Sequence, residues 1–133
     1  MGNESKLVLV MEDLEMYSHP LKEQLEHLGY SSNFTASRQK FLHSLDDLNL
    51  PYAIILDNNV PLHDGESPEA NVGLNLSMTL KRHYPQVRIA LHTSSDGSNR
   101  ERFDKMIKEA TDRGVVYLQK PVSLESLREF LEK

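Results

Sequence analysis

Acidic, hydroxyl and ammonium side chains follow short apolar segments at four places in this sequence. They are Glu12 and Asp13 after residues 7–11, Asp57 after residues 52–56, Thr93 just beyond residues 87–91, and Lys120 just beyond residues 115–118. If each segment is a strand of one parallel sheet, these residues lie beyond the carboxyl ends of the strands, where ligands of open α/β sheets bind. The pattern therefore predicts that carboxylates, a hydroxyl and an ammonium meet in one pocket.

The carboxylates of this pocket require a cation. In the strand order 2-1-3-4-5 the acids after the first and third strands face one another, and two such charges about 5 Å apart repel by roughly 3 kcal/mol at an effective dielectric of about 20. The chain has no cysteine, and its six histidines show no metal-ligand spacing, so we expect the histidines to be solvated or packing residues. Oxygen ligands alone favour a hard ion, and Mg²⁺ is the natural choice.

The apolar segments are typical of strands buried on both faces of a sheet. Between them lie stretches whose apolar residues recur at helical spacing. One helix is indicated by a capping box that begins at Ser98 and by the apolar positions Phe103, Met106, Ile107 and Ala110. A second ends at Gly29, and a third begins behind Ser123. This alternation predicts a flavodoxin-like α/β fold, (βα)5, in which helices cover both faces of a doubly wound five-stranded parallel sheet in the order 2-1-3-4-5.

Two elements are weakly marked. Residues 30–34 predict a strand at an edge of the sheet, because Ser31, Ser32 and Asn33 bury poorly. The helix that contains Leu74, Met78 and Leu80 follows a polar segment with Pro68, which indicates an enlarged loop.

Length and composition predict one globular domain over residues 1–133. Apolar residues make up 38% and charged residues 26% of the chain, as in water-soluble proteins. The net charge of -5 argues against direct nucleic-acid binding, which requires clustered basic residues. No apolar segment is long enough for a membrane span or a signal sequence, so we expect a cytoplasmic protein without membrane attachment.

The motifs together resemble the CheY-like receiver domain of bacterial two-component signalling, over roughly residues 6–133. The resemblance rests on four motifs in order, each at the tip of a predicted strand: Glu12-Asp13, Asp57-x-Asn59-Val60-Pro61-Leu62-His63-Asp64-Gly65, Thr93, and Tyr117-x-x-Lys120-Pro121. Each motif is weak alone, but their order and spacing make a specific pattern.

The resemblance implies a role for each residue of the pocket. Asp57 is the phosphoacceptor, and Glu12, Asp13 and Asp57 hold Mg²⁺ with the backbone carbonyl of Asn59. Thr93 binds a phosphoryl oxygen, and Lys120 pairs first with the Asp57 carboxylate and then with the phosphate. These groups suit phosphoryl transfer, because a fixed cation, an ammonium and hydrogen-bond donors stabilise the charge on the oxygens.

The resemblance also implies a switch and two kinds of partner. Thr93 moves towards the phosphoryl group while Tyr117 turns from exposed to buried, which alters a surface formed by residues 99–110, 115–118 and 123–132. The phosphoryl donor is a sensor histidine kinase or a histidine phosphotransfer protein, and a downstream effector protein or domain recognises the surface. The chain is then not an enzyme but a phosphoacceptor that assists its own phosphorylation and dephosphorylation.

The sequence departs from the receiver pattern after Gly65. Receivers enter the third helix almost at once, whereas Glu66 to Val72 intervene here; an alternative alignment matches Gly73 to the family glycine and places the extra residues earlier. In the family, the positions of Asn59 and Ser95 tune dephosphorylation. The Lys120-Pro121 bond resembles the cis peptide of the family.

Two other functions are open at this point. A pseudo-receiver would bind a partner constitutively and would never be phosphorylated, but a pure binding module has no need of clustered acids. A small magnesium-dependent phosphatase would use Asp57 as its nucleophile, but the sequence indicates no substrate pocket beyond the switch point.

Overall fold

The computed structural model describes residues 6–94 and 100–133. Five strands form one parallel sheet: β1 (Leu7–Met11), β2 (Ser31–Thr35), β3 (Ala53–Asp57), β4 (Arg88–Thr93) and β5 (Val116–Gln119). Their order is β2-β1-β3-β4-β5, which confirms the predicted α/β class and strand order. Asp57, the last residue of β3, is paired with His92 of β4. The ends of the inner strands therefore meet at one edge of the sheet.

Five helices cover the two faces of this sheet: α1 (Glu15–His27), α2 (Arg38–Ser44), α3 (Val72–His83), α4 (Arg100–Asp112) and α5 (Leu124–Glu132). Each face has its own apolar core. One core packs the side chains of α2, α3 and α4 against β1, β3 and β4, with Phe41, Leu56 and Leu91 fully buried. The other packs α1 and α5 against the opposite face, with Leu25 and Leu127 fully buried.

Local signals explain several of the helix ends. Gly29 adopts a φ of 92° just after α1, a backbone conformation that glycine takes without a steric penalty. The hydroxyl of Ser123 accepts a hydrogen bond from the N–H of Ser126, as expected for a helix N-cap. The capping box predicted at Ser98 lies outside the described residues. The sequence pattern did not identify α2, whose N-cap is Ser37.

The two edge strands are less buried than the inner ones. β2 lies at one edge, as its polar residues predicted. β5 lies at the other edge, and Val116 is 41% exposed, so the expectation that this segment is buried on both faces is wrong. An edge strand has only one neighbour, which leaves part of its surface open to solvent. None of the helices in residues 6–94 and 100–133 is long and apolar enough to cross a bilayer.

Candidate functional site

Three carboxylates meet at the carboxyl edge of the sheet. Glu12 and Asp13 follow β1, Asp57 ends the neighbouring strand β3, and one carboxylate oxygen from each lies within 4.8 Å of the other two. Side chains of Glu12 and Asp57 are almost completely buried, whereas Asp13 is half-buried. We call these three residues the acidic cluster. The structure thus brings together three of the four residues that the sequence predicts as metal ligands.

Lys120 supplies the positive charge of this cluster. Its ammonium lies 2.6 Å from Oε1 of Glu12 and 3.1 Å from Oδ1 of Asp57, and its side chain is only 5% exposed. The Lys120-Pro121 peptide bond is cis, as the resemblance implied. The backbone N–H of Lys120 donates to the carbonyl of Thr93, which joins the start of the β5–α5 loop to the end of β4.

The acidic cluster carries more negative charge than one ammonium balances. Burial, and then repulsion from Asp57, raises the pKa of Glu12 to about 7 even though Lys120 opposes this shift. The same two causes raise the pKa of Asp13. Desolvation and like-charge repulsion both disfavour a carboxylate anion, so the pocket would be stabilised by a further cation.

The donor atoms of the cluster fit a hard metal ion. Oδ1 of Asp13 is buried and accepts no hydrogen bond from the described residues. Oε1 of Glu12 also accepts no hydrogen bond of good geometry within residues 6–94 and 100–133, although the Lys120 ammonium lies 2.6 Å from it. Oε2 of Glu12 accepts a bond from the N–H of Leu14, which fixes the orientation of the carboxylate. Buried carboxylate oxygens without donors are typical of Mg²⁺ or Ca²⁺ ligands.

The start of α3 packs directly on the backbone of Asp57. The N–H of Gly73 donates to the carbonyl of Asn58, and a Cβ atom added to Gly73 would lie 2.1 Å from the carbonyl oxygen of Asp57. The buried side chain of Asn58 accepts a bond from the N–H of Leu74 at 2.9 Å and donates to Oδ1 of Asn71. We call these hydrogen bonds of Asn58 the clamp, because they join the residue after Asp57 to the first turn of α3.

Residues 58–71 form an enlarged loop between Asp57 and α3, which we call the 58–71 loop. Within it Val60 and Glu69 form an antiparallel bridge. Asn59 is exposed, and its side-chain oxygen accepts a bond from the N–H of Asn71. Asn59 therefore stays a predicted metal ligand through its carbonyl, while its side chain stabilises the loop.

Thr93 and Tyr117 lie on the neighbouring strands β4 and β5. Thr93 is buried and one residue beyond His92, the partner of Asp57. The Tyr117 hydroxyl lies 3.5 Å from the Thr93 carbonyl oxygen. The rings of Tyr117 and Phe103 pack edge to face, with their centroids 5.9 Å apart. Tyr117 is half-buried, so it occupies neither extreme of the predicted switch. Ser95 lies outside the described residues.

Several solved structures share the fold of this chain. Neither a protein-family model nor a curated protein matches the sequence. Among solved structures, a response regulator receiver domain protein from Clostridium thermocellum is 21% identical with a TM-score of 0.72, and the alignment covers 95% of this chain and 90% of that one. A CheY-like receiver domain from Methylobacillus flagellatus is 24% identical with a TM-score of 0.68, over 97% and 98% of the two chains. This chain has the receiver-domain fold.

A third structure of this fold carries a modified residue. It is a response regulator from Burkholderia pseudomallei with a phosphorylated aspartic acid, a calcium ion and citrate. It is 24% identical to this chain with a TM-score of 0.70, over 97% of this chain and 68% of that one.

Gly65 and Gly73, the two candidates for the family glycine, have different surroundings. Gly73 packs on the backbone of Asp57, whereas Gly65 has open space around its Cα and a φ of 85°. Close packing therefore requires glycine at position 73, whereas no close contact requires it at position 65. The enlarged loop expected at Glu66 to Val72 lies within the 58–71 loop except for its last residue, because α3 begins at Val72.

Three residues at the site were not identified from the sequence as functional. Asn58 makes the clamp described above. His92 is buried, its Nε2 atom has no partner among the described residues, and burial followed by the Lys120 charge lowers its pKa to about 4. The ring of Tyr17 lies 4.3 Å from the Lys120 ammonium. Only the position of Tyr17, in the first turn of α1 after the acidic pair, could have indicated its contact with the site.

Proposed function

We propose that this chain is a phosphoacceptor receiver that takes a phosphoryl group on Asp57 from a phosphohistidine donor and signals through a switchable surface. The observation that carries the proposal is the acidic cluster of Glu12, Asp13 and Asp57 with Lys120 in contact with two of its members. A stable fold has no need of clustered buried acids, since each costs desolvation energy.

In the proposed reaction a carboxylate oxygen of Asp57 attacks the phosphorus atom of the donor. An O–P bond forms, the P–N bond to the donor imidazole breaks, and the leaving nitrogen keeps the electron pair and takes a proton from solvent. Lys120, already 3.1 Å from Oδ1 of Asp57, is placed to stabilise the charge on the phosphoryl oxygens. Thr93, at the end of the neighbouring strand, is the proposed ligand of a second phosphoryl oxygen.

Glu12, Asp13 and Asp57, with the backbone carbonyl of Asn59, are the proposed ligands of Mg²⁺. When bound, this ion offsets the charge of the carboxylates and of the phosphoryl group. The donor atoms support the assignment, because Asp13 Oδ1 is buried without a hydrogen-bond donor among the described residues. The Burkholderia pseudomallei structure, with its phosphorylated aspartic acid and calcium ion, supports a divalent ion in this fold.

The proposed output surface is formed by α4, β5 and α5. Thr93 and Tyr117 link the acidic cluster to it, since the Tyr117 hydroxyl lies 3.5 Å from the Thr93 carbonyl and its ring packs against Phe103 of α4. The proposed partners are a histidine kinase or phosphotransfer protein and a downstream effector. To move such a switch from 1:99 to 99:1, phosphorylation must favour one state by about 5.5 kcal/mol.

Intact mass spectrometry tests the proposal. The purified chain is incubated with phosphoramidate and Mg²⁺, and a gain of about 80 Da is expected from one phosphoryl group. Asp57→Asn should abolish the gain, whereas Asp64→Asn, which alters an exposed acid of the 58–71 loop, should retain it. The gain should also disappear in EDTA. If wild type gains no mass from phosphoramidate or acetyl phosphate, the proposal is wrong.

The 58–71 loop favours a second candidate, a module that binds a partner whether or not Asp57 is phosphorylated. The loop adds surface directly beside the site, with exposed side chains at His63, Asp64 and Glu66. In that case a partner captured by the wild-type chain would bind equally well to Asp57→Asn and to the beryllofluoride-treated protein. A phosphorylation-dependent receiver should instead show at least a tenfold difference in affinity.

A further inference from the structure

Lys120 makes a contact that the proposed reaction does not use. Its ammonium lies over the face of the Tyr17 ring, 4.3 Å from the ring centroid. Tyr17 is half-buried in the first turn of α1, so this helix supplies the aromatic ring that contacts the ammonium. A cation at this distance from an aromatic face is attracted by the ring quadrupole, and the attraction grows when the cation is desolvated. The Lys120 side chain is 5% exposed, which meets that condition.

The other two contacts of the ammonium involve groups that a metal ion would also bind. Glu12, at 2.6 Å, and Asp57, at 3.1 Å, both belong to the acidic cluster. A divalent ion on these carboxylates would repel the ammonium and weaken its hold on Glu12. The Tyr17 ring is uncharged and is no ligand for Mg²⁺, so its contact with Lys120 persists when the carboxylates are shared.

We propose that Tyr17 is a positioning residue that keeps the Lys120 ammonium beside Asp57 when a metal ion occupies the acidic cluster. This inference rests on the proposed function. The face of the Tyr17 ring attracts the ammonium, and the Tyr17 hydroxyl takes no part in this contact. Tyr17→Phe should therefore behave as wild type, whereas Tyr17→Leu keeps an apolar side chain but removes the attraction.

The direct test is proton NMR of the Lys120 side chain. Protons above an aromatic face are shifted upfield, so the Lys120 ε protons should be upfield in wild type and in Tyr17→Phe, and near their ordinary position in Tyr17→Leu. The shift should survive saturation with Mg²⁺. Its loss when Mg²⁺ is added to wild type would overturn the inference, because the ring would then hold the ammonium only when the metal is absent.

The second readout is the rate of Asp57 phosphorylation by phosphoramidate with saturating Mg²⁺. Tyr17→Leu should be slower by roughly two- to thirtyfold, the span from an exposed to a desolvated cation–π contact. Tyr17→Phe should lie within about twofold of wild type on the same grounds. Met16→Leu is the matched control, because Met16 is the preceding residue of α1 and is 70% exposed. If Tyr17→Leu were as fast as wild type, the positioning role would be refuted.

The two readouts separate failure of this inference from failure of the proposed function. If wild type accepts no phosphoryl group, the proposed function fails, and the NMR shift under Mg²⁺ still decides whether Tyr17 holds the ammonium. Urea unfolding checks that Tyr17→Leu is folded. Should it not be, Tyr17→Met offers a second apolar replacement, and the same rate and shift changes are expected of it.

Discussion

Replacing Gly73 with alanine tests the contact between α3 and the phosphoacceptor. In an ordinary helix this change stabilises the protein by up to about 1 kcal/mol, because alanine has the higher helix propensity. Here the new Cβ would lie 2.1 Å from the Asp57 carbonyl oxygen, 2.7 Å from its carbonyl carbon and 2.8 Å from the Asn58 Cα. All three atoms are backbone, so no side chain can rotate out of the way.

The magnitude follows from the distances. Real Cβ atoms essentially never approach closer than 3.0 Å, so either α3 or the Asp57 carbonyl must move by about 1 Å. We expect Gly73→Ala to lower the free energy of unfolding by about 2–3 kcal/mol, which corresponds to about 8–12 °C in melting temperature. A displacement of about 1 Å at a reacting group can also slow its chemistry by about a hundredfold.

Urea unfolding and the rate of phosphorylation by phosphoramidate measure the two effects. The matched control is Gly65→Ala, where nothing lies within 4 Å but the φ of 85° is strained for alanine. It should lose about 1 kcal/mol of stability and leave the phosphorylation rate unchanged. If Gly73→Ala is as stable as wild type or more stable, the close packing of α3 on Asp57 is refuted.

Three further changes have definite expected outcomes. The pKa of His92 is lowered from 6.5 to about 4, so the unfolded chain binds a proton that the folded chain does not, and stability is lost as the pH falls from about 6.5 towards 4. In urea titrations, His92→Leu should therefore gain about 2 kcal/mol relative to wild type between pH 8 and pH 5, and a pH-independent difference would contradict this. Lys120→Met leaves the acidic cluster without its ammonium and should cost about 3 kcal/mol in EDTA, with much of the loss recovered in Mg²⁺; no recovery would argue against a metal site. Asn58→Ala removes the bond to the Leu74 N–H and should cost about 1–2 kcal/mol by thermal unfolding, against less than about 0.5 kcal/mol for the exposed Asn59→Ala, and equal losses would refute the clamp.

The strand order and the strand-end position of the site residues were predictable from the sequence. Inner strands of a parallel sheet are buried on both faces and therefore read as continuous apolar segments, as in β1 and β3. The first residue after such a segment is then at the carboxyl edge. For this reason Glu12 and Asp57, which are distant in sequence, could be placed together before the structure was known.

Tertiary contacts decide the features that the sequence did not indicate. α2 is one short helix of seven residues, and of these only Phe41 is fully buried, so its apolar period is too brief to recognise. The predicted strand order already places β5 at an edge, but the apolar sequence of this strand does not indicate that Val116 is exposed. The contact between Tyr17 and Lys120 joins residues from opposite ends of the chain, and no local pattern predicts such a pair.

The 58–71 loop is held at both of its ends beside Asp57. The Asn58 side chain and the backbone of Gly73 hold the two ends of the loop at fixed positions, through bonds of 2.9 Å to the Leu74 N–H and 3.0 Å to the Asn58 carbonyl. The entropic cost of closing a loop rises by only about 0.6 kcal/mol for each doubling of its length, so extra residues between fixed ends cost little. The N–H groups of Arg38 and Gln39 also donate to loop carbonyls, which attaches the loop to α2. We therefore expect the position of Asp57 to depend on the clamp rather than on the length of the loop.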